Sequence, residues 1–363
     1  MYVRVLSRQT LQQIGTTVAA CTAIALLLQY PEAVHNGINR GLSICSTVII
    51  PTLFPFMLLA GWLSDSALCR SPGQWMQAAT RRIFGLPGCC APAILLSLVG
   101  GYPAGMIAIS RLYRQGQIQR HELRHLTAFC ICGGPGFIVG TVGIGLMESV
   151  QAGWLLYIAQ AVTAIGIGVG VGYRHRHSTP PTVLTPPKQP FAQTVTDTCR
   201  ALLSMCGFVA AAAMLLSLLD GMGVSQSIAA HLRCSATEIG AVVAGLLEVS
   251  CGCVAFAGIP MAPLWLSACL GWGGLSIHGQ LAAILPEERI VDRWFLGWRL
   301  VQAIASGGLA LGLFYLFPPK KSVGSLHLST LPFSVSSSAT CMLLLLCFLT
   351  MLCFSEKKTG KSQ

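Results

Sequence analysis

The stretch Ile94–Phe137, ILLSLVGGYPAGMIAISRLYRQGQIQRHELRHLTAFCICGGPGF, decides the fold. Two apolar runs, at about 92–112 and 126–147, are each interrupted by glycines and a proline. A short basic loop, predicted over Tyr113–Arg124, joins them. A broken helix at membrane depth is tolerated only where the freed backbone is buried in protein or lines a cavity. Each run therefore predicts a discontinuous membrane element.

The composition places the whole chain in a lipid bilayer. Hydrophobic residues make up 53% of the 363 residues and charged residues only 10%, whereas a soluble domain carries about 25% charged residues. The net charge of +11 is therefore first a signal of membrane topology, and no nucleic-acid partner is expected. Most of the 16 cysteines lie in apolar runs, where Cys behaves as a small hydrophobic residue.

Other apolar runs have the length of about 20 residues that a membrane-spanning helix needs. The run at about 10–30 is expected to be a retained helix and not a cleaved signal peptide. Prolines are expected to kink the run at about 41–64. Two amphipathic stretches predict helices that lie on the membrane surface. The predicted spans are at about 10–30, 41–64 (with Pro51 and Pro55), 153–173, 199–219, 294–317 and 339–354, and the surface helices at 74–86 and 223–235.

The order of elements recurs after the basic, Pro-rich stretch Arg174–Pro190, which reads as a linker. Interrupted runs follow at 239–261, with a break at Ser250–Gly252, and at 264–284, with a break at Gly271–Gly274. The sequence thus predicts two halves with the same element order. The predicted segments are 1–40 (N-terminal helix), 41–173 (first repeat), 174–198 (cytoplasmic linker), 199–317 (second repeat) and 318–363 (spacer and C-terminal helix).

The distribution of Lys and Arg predicts how the halves are oriented. If 92–112 and 239–261 are re-entrant hairpins and both termini are cytoplasmic, most cations lie inside, as the positive-inside rule requires. The hairpins then enter from opposite faces, which makes the halves inverted. The fold class is therefore an all-α polytopic membrane protein with an inverted repeat, re-entrant hairpins and broken helices. This architecture is typical of secondary transporters, which bind substrate near the midplane.

The breaks of the first half supply candidate binding residues. Glycines allow a sharp backbone turn, a proline suits the first turn of the returning helix, and the N-terminus of that helix attracts anions. The other interpretation is a kink or a close helix crossing through small residues. The candidates are Gly100, Gly101, Tyr102, Pro103, Cys132, Gly133, Gly134 and Pro135.

In the second half, Glu248 is an intramembrane carboxylate and hence a functional candidate. It would bind a donor on the substrate, couple transport to protons, or pair with a neighbour such as His278 and only fix packing. His278 could be a ligand donor, a proton relay or a satisfied core residue. The remaining candidates in this half are Ser250, Gly274, Ser276 and Gln280.

No cofactor, metal or enzymatic activity is expected. The pairs Cys130-x-Cys132 and Cys251-x-Cys253 would need to converge to form a tetrahedral thiolate site, and apolar cysteines favour packing instead. The sequence has no phosphate-binding loop and no hydrolase motif in a plausible context. H⁺ and Na⁺ remain the candidate coupling ions.

Four stretches resemble the YlbJ family of sporulation integral membrane proteins, which contain the nucleoside-recognition Gate domain and are similar to concentrative nucleoside transporters. They are PTLFPF at Pro51–Phe56, GGYPAG at Gly100–Gly105, GPGFIVGTVG at Gly134–Gly143, and GWGGLSIHGQ at Gly271–Gln280. Where these relatives usually have asparagines before the glycine-proline break, this chain has Ile131 and Cys132.

The resemblance implies transport of a small organic anion, dipicolinic acid, during endospore formation. It also implies a bacterial cell membrane location, such as the mother-cell-derived outer forespore membrane. The alternatives are a non-transporting membrane scaffold and a nucleoside-type solute carrier or channel. The expected partners are the lipid bilayer and the anion, and a homo-oligomer is left open.

Overall fold

The computed structural model describes residues 8–64, 74–173 and 190–320. Within these ranges every regular element is a helix. The predicted linker up to residue 189, the predicted C-terminal span at 339–354 and the rest of 321–363 lie outside the described residues.

The helices follow one another with short connections. A π-helical turn at Cys45–Ile49 joins α2 to α3, and α7 has π-helical hydrogen bonding along its length. The helices are α1 Arg8–Gln29, α2 Pro31–Ile44, α3 Ile50–Ser64, α4 Gln74–Phe84, α5 Ala91–Arg114, α6 Arg120–Phe129, α7 Gly136–Leu146, α8 Val150–Tyr173, α9 Phe191–Gly221, α10 Val224–Leu232, α11 Ala236–Leu247, α12 Val249–Phe256, α13 Ala262–Trp272, α14 Gly274–Ile284 and α15 Arg293–Leu316.

In the described part of the chain, four helical stretches are long and apolar enough to cross a membrane. They are Pro31–Leu59, Val150–Tyr173, Phe191–Gly221 and Arg293–Leu316, and a bent pair around residue 86 is a fifth candidate. The predicted all-α polytopic membrane protein is confirmed.

Two predicted boundaries are wrong for local reasons. The span predicted from residue 41 begins at Pro31, because proline at the first helical position has no N–H that would otherwise be unpaired. The loop predicted over Tyr113–Arg124 shrinks to 115–119. There a capping box starts α6, in which the backbone N–H of Gln119 donates to the Glu122 carboxylate at 2.8 Å.

Close contacts between small residues show that the two predicted hairpins fold back on themselves. A Cβ atom added to Gly105 would lie 2.6 Å from the Cβ atom of Ser97, although eight residues of straight helix span about 12 Å. In the second half, a Cβ atom on Gly252 would lie 2.9 Å from the amide nitrogen of Gly245. Both predicted hairpins are therefore present as folded-back segments, one within α5 and one formed by α11 and α12, and their entry from opposite membrane faces stays a prediction.

The helices that close the two halves, α8 and α15, pack antiparallel. Ser149, just before α8, donates from its hydroxyl to the carbonyl oxygen of Lys320, just beyond α15, at 2.9 Å. At mid-helix, the Gln302 amide donates to the Gln160 side-chain oxygen at 3.1 Å. Helices in corresponding places of the two halves thus run in opposite directions, as an inverted repeat predicts.

The halves also meet where α2 crosses α9. Gly37 and Gly41 form a G-x-x-x-G pair on α2, and a Cβ atom on either would lie 2.6 Å from a backbone Cα atom of α9, that of Met214 or Ala210. Without side chains at these positions the two backbones approach closely, which is how membrane helices gain van der Waals contact.

Candidate solute-binding site

The four helix breaks meet in pairs at the centre of the molecule. In the first half, a Cβ atom on Gly101 would lie 2.9 Å from the amide nitrogen of Gly134. In the second half, a Cβ atom on Gly274 would lie 2.9 Å from the Cα atom of Glu248. Each half therefore packs the break of its hairpin against the break of its second broken helix.

Backbone conformation explains why glycine occupies these breaks. Gly101 has φ 80° and ψ −167°, a region that is essentially accessible only to glycine. Gly273 and Gly274 also have positive φ, at 84° and 79°. The predicted break at Gly271–Gly274 is thus located at its last two residues, whereas the break predicted at Ser250–Gly252 lies at Glu248, which has an extended conformation. Gly252 instead serves the close packing of α11 against α12.

Tyr102 connects the two halves. Its hydroxyl donates to the carbonyl oxygen of Leu270 on α13 at 2.5 Å, and its ring is buried. A Cβ atom on Gly273 would lie 3.7 Å from the Tyr102 ring. The side chain thus anchors the tip of the first hairpin against the second broken helix of the other half.

A small cavity lies between the breaks. Its volume is about 20 Å³, room for about one water molecule, so the described conformation has no space there for a larger solute. Among the predicted residues, those in its wall are Gly100, Gly101, Tyr102, Gly134, Glu248, Ser250 and Gln280. The apolar part of the wall was not predicted and consists of Ile49, Leu53, Phe137, Met205, Val209, Val249 and Ile277.

Four helical segments begin at the breaks. The second half of α5 starts after Gly101, α7 after Pro135, α12 after Glu248, and α14 after Gly273. In general, a helix N-terminus carries a partial positive charge and N–H groups that have no partner within the helix. The Glu248 carboxylate occupies one of them, since it accepts the Cys251 N–H at 2.7 Å.

Two buried polar groups beside the cavity lack partners among the described residues. They are the Gln280 amide nitrogen and the Ser276 hydroxyl, four residues apart on α14, and both side chains are 6% exposed. Buried polar groups are normally hydrogen-bonded, and an exception calls for an explanation such as a water, an ion or a ligand. Gln280 lines the cavity, so its amide is available to a bound solute.

Other predicted residues lie outside the cavity wall. The imidazole Nε2 atom of His278 is 3.0 Å from the Trp272 carbonyl oxygen, and its ring packs edge-on against Trp272 and Phe295. Gly133 and Pro135 flank the cavity residue Gly134 in the chain.

Pro103 occupies the first turn of the returning half of α5. Ser276 and Gly274 lie on α14, and Gly274 packs against the backbone of Glu248.

The substituted pair before the second break is buried beside the cavity and not in its wall. The Cys132 thiol donates to the Ser97 carbonyl oxygen at 3.6 Å, and Ile131 packs in the core. Neither side chain contributes to the cavity wall. In the described residues, no three His, Cys, Asp or Glu side chains are close enough to hold a metal ion.

Sequence reasoning missed Arg299, which is 1% exposed within α15. Its guanidinium donates to the carbonyl oxygens of Ala128 and Ile131, at the C-terminal end of α6, where the helix dipole is negative. An intramembrane cation is by itself a functional signal. Its partner could not be predicted, because the partner is a set of backbone carbonyls far away in the sequence.

No family model matches the chain, and no solved structure matches it. A curated relative does: "Sporulation integral membrane protein YlbJ" of Bacillus subtilis (strain 168) is 25% identical over 315 residues, covering 77% of this chain and 77% of the relative. The description of this relative as an integral membrane protein agrees with the membrane-spanning helices. The predicted resemblance is confirmed, and this chain is a relative of the YlbJ-type sporulation integral membrane proteins.

Proposed function

We propose that this chain transports a small organic anion across a membrane during endospore formation. The observation that carries the proposal is a cavity lined by residues at the start of three helical segments (the second half of α5, α7 and α12) and by Gln280, whose amide nitrogen has no partner among the described residues. Such breaks near the midplane of an inverted repeat are how secondary transporters bind anionic groups. The name of the Bacillus subtilis relative supports the setting in sporulation.

We further propose pyridine-2,6-dicarboxylate (dipicolinate) as the substrate. Its two carboxylates would accept hydrogen bonds from helix N-termini and from Gln280, and its planar ring would pack against the apolar wall. Pockets for small organic ligands have volumes of about 300–1,000 Å³, whereas this cavity has about 20 Å³. Binding therefore requires the hairpin tips to separate, which is the motion that alternating access demands.

In this proposal, Glu248 competes with the substrate for the N-terminus of α12. Its carboxylate occupies the N-terminus of α12, and a bound anion nearby would repel it. Neutralising Glu248 would remove this repulsion, which makes H⁺ our candidate coupling ion. Glu248→Gln should weaken the dependence of transport on the pH gradient. Transport and pH dependence that both stay unchanged would exclude Glu248 as the coupling group.

The test is uptake by proteoliposomes that contain the full-length protein. We expect uptake of labelled pyridine-2,6-dicarboxylate above that of empty liposomes, and no comparable uptake of uridine. Uridine uptake alone would favour a nucleoside-type carrier. The alternative is a non-transporting scaffold, and the absence of any flux with protein confirmed as folded would overturn the transport proposal in its favour.

A further inference from the structure

A second and larger cleft lies at the charged end of the molecule, between the start of α6 and the segment that leads into α15. Its volume is about 460 Å³, within the range of pockets for small organic ligands. Both halves contribute to it. The charged cleft is lined by Gln119, Arg120, His121, Leu123, Arg124, Thr127, Glu288, Arg289, Ile290 and Asp292.

Ion pairs cross this cleft from one half to the other. Arg120 lies 3.0 Å from a Glu288 carboxylate oxygen, and Arg124 lies 2.6 Å from an oxygen of Asp292. Arg289 is exposed and has no ion-pair partner in the described part of the chain. The lining thus carries three guanidinium groups against two carboxylates, which leaves it with an excess of positive charge.

The two paired arginines are well placed for a ligand with two anionic groups. Arg120 and Arg124 are four residues apart on α6, so their Cβ atoms are neighbours at about 5–6 Å on one face. Guanidinium groups bind carboxylates bidentately. Asp292 also accepts the Phe295 N–H at 2.9 Å and so caps α15. It would keep this partner if Arg124 turned toward a ligand.

We propose that the charged cleft binds a small organic dicarboxylate, whose two carboxylates replace Glu288 and Asp292 as partners of Arg120 and Arg124. This rests on the proposed function, since the cleft would be the first binding site of the same anion on its way to the central cavity. Ligand binding would also release two of the ion pairs that join the two halves at this end, while the pair between Arg114 and Glu287 would remain. Occupancy of the cleft would thereby favour separation of the hairpin tips.

A neighbouring tryptophan supplies a local signal. The Arg124 guanidinium lies 5.6 Å from the ring centroid of Trp294, so a change in the partner of Arg124 changes the surroundings of that indole. Purified full-length protein in detergent would be titrated with pyridine-2,6-dicarboxylate and followed by tryptophan fluorescence and by calorimetry. A saturable fluorescence change that disappears in Trp294→Phe would locate binding at the cleft.

Three variants test the assignment. Arg120→Gln combined with Arg124→Gln should weaken binding at least tenfold, and Arg289→Gln, which breaks no described ion pair, should weaken it several-fold. Arg82→Gln, an exposed cation on α4, is the matched control and should leave the affinity unchanged. Benzoate, with one carboxylate, should bind at least tenfold more weakly. Equal affinities for the wild type, Arg289→Gln and the double variant would overturn the proposal.

The outcome is separable from that of the proposed function. Uptake by proteoliposomes without a Trp294 response would remove the charged cleft as a binding site and leave transport standing. Saturable binding at the cleft without uptake would support the cleft and remove transport.

Discussion

Replacing Gly101 by alanine tests the geometry of the central breaks. At φ 80° and ψ −167°, a non-glycine residue costs about 1–3 kcal/mol. The new Cβ atom would also lie 2.9 Å from the Gly134 amide nitrogen, and a backbone atom cannot move aside as a flexible side chain can. Together these effects predict a loss of roughly 3 kcal/mol or more.

Gly116 is the matched control. It also has positive φ, at 68°, but an added Cβ atom would meet nothing within 4 Å. Gly116→Ala should therefore cost only about 1–2 kcal/mol, from backbone conformation alone. Thermal unfolding of the purified full-length proteins, followed by tryptophan fluorescence, would compare the two. Equal decreases in unfolding temperature would refute the claim that the tip of the first hairpin packs against Gly134.

Three further outcomes follow from the packing and the charges. Gly41→Ala should lower the unfolding temperature, because its Cβ atom would lie 2.6 Å from a Cα atom of α9. Gly207→Ala, with open space around it, should not lower it. A decrease of equal size in both variants would contradict the close crossing of α2 and α9. Arg299→Met should destabilise by about 2–4 kcal/mol in denaturant unfolding, since it leaves two buried carbonyl oxygens unpaired, and a neutral result would contradict that role. The hydrogen bond from Arg114 lowers the pKa of Glu287 below its ordinary value of 4.5. The stabilisation from this pair is therefore present above pH 4.5 and is lost as the pH falls through the lowered pKa. Thermal melts of wild type and Glu287→Gln should differ at neutral pH and converge in acid, and a difference that stays constant with pH would refute this.

The discontinuous helices could be predicted from the sequence because glycine and proline interrupt apolar runs for local reasons. The exact position of the break in the second hairpin could not be predicted from the sequence. Glycine serves two purposes in membrane helices, positive φ and close packing, and Gly252 serves the second. The break falls instead at Glu248, whose carboxylate caps the next helix. Only the tertiary structure distinguishes these uses.

The candidate site was predicted in part for a similar reason. Gly101, Gly134, Glu248 and Gln280 line the cavity, because the two halves bring their breaks together. His278 lies instead against two aromatic rings, which no local pattern in the sequence reveals.

The charged end shows the same limit. In the sequence, the basic residues near Arg120 indicate only the side of the membrane on which the loop lies. Their pairing with Glu288 and Asp292 depends on contacts between residues 168 positions apart in the chain. Charge counts predict on which side a loop lies, and they do not predict its partner.

The rate of anion uptake by Gln280→Leu tests the central claim most directly. The change retains the side-chain volume approximately and removes the unpartnered amide from the cavity wall. Leu275→Ala, on the exposed face of the same helix, is the control. We predict that pyridine-2,6-dicarboxylate enters proteoliposomes at least tenfold more slowly with Gln280→Leu than with wild type, and at the wild-type rate with Leu275→Ala. A wild-type rate for folded Gln280→Leu would contradict the assignment of the cavity as the solute-binding site.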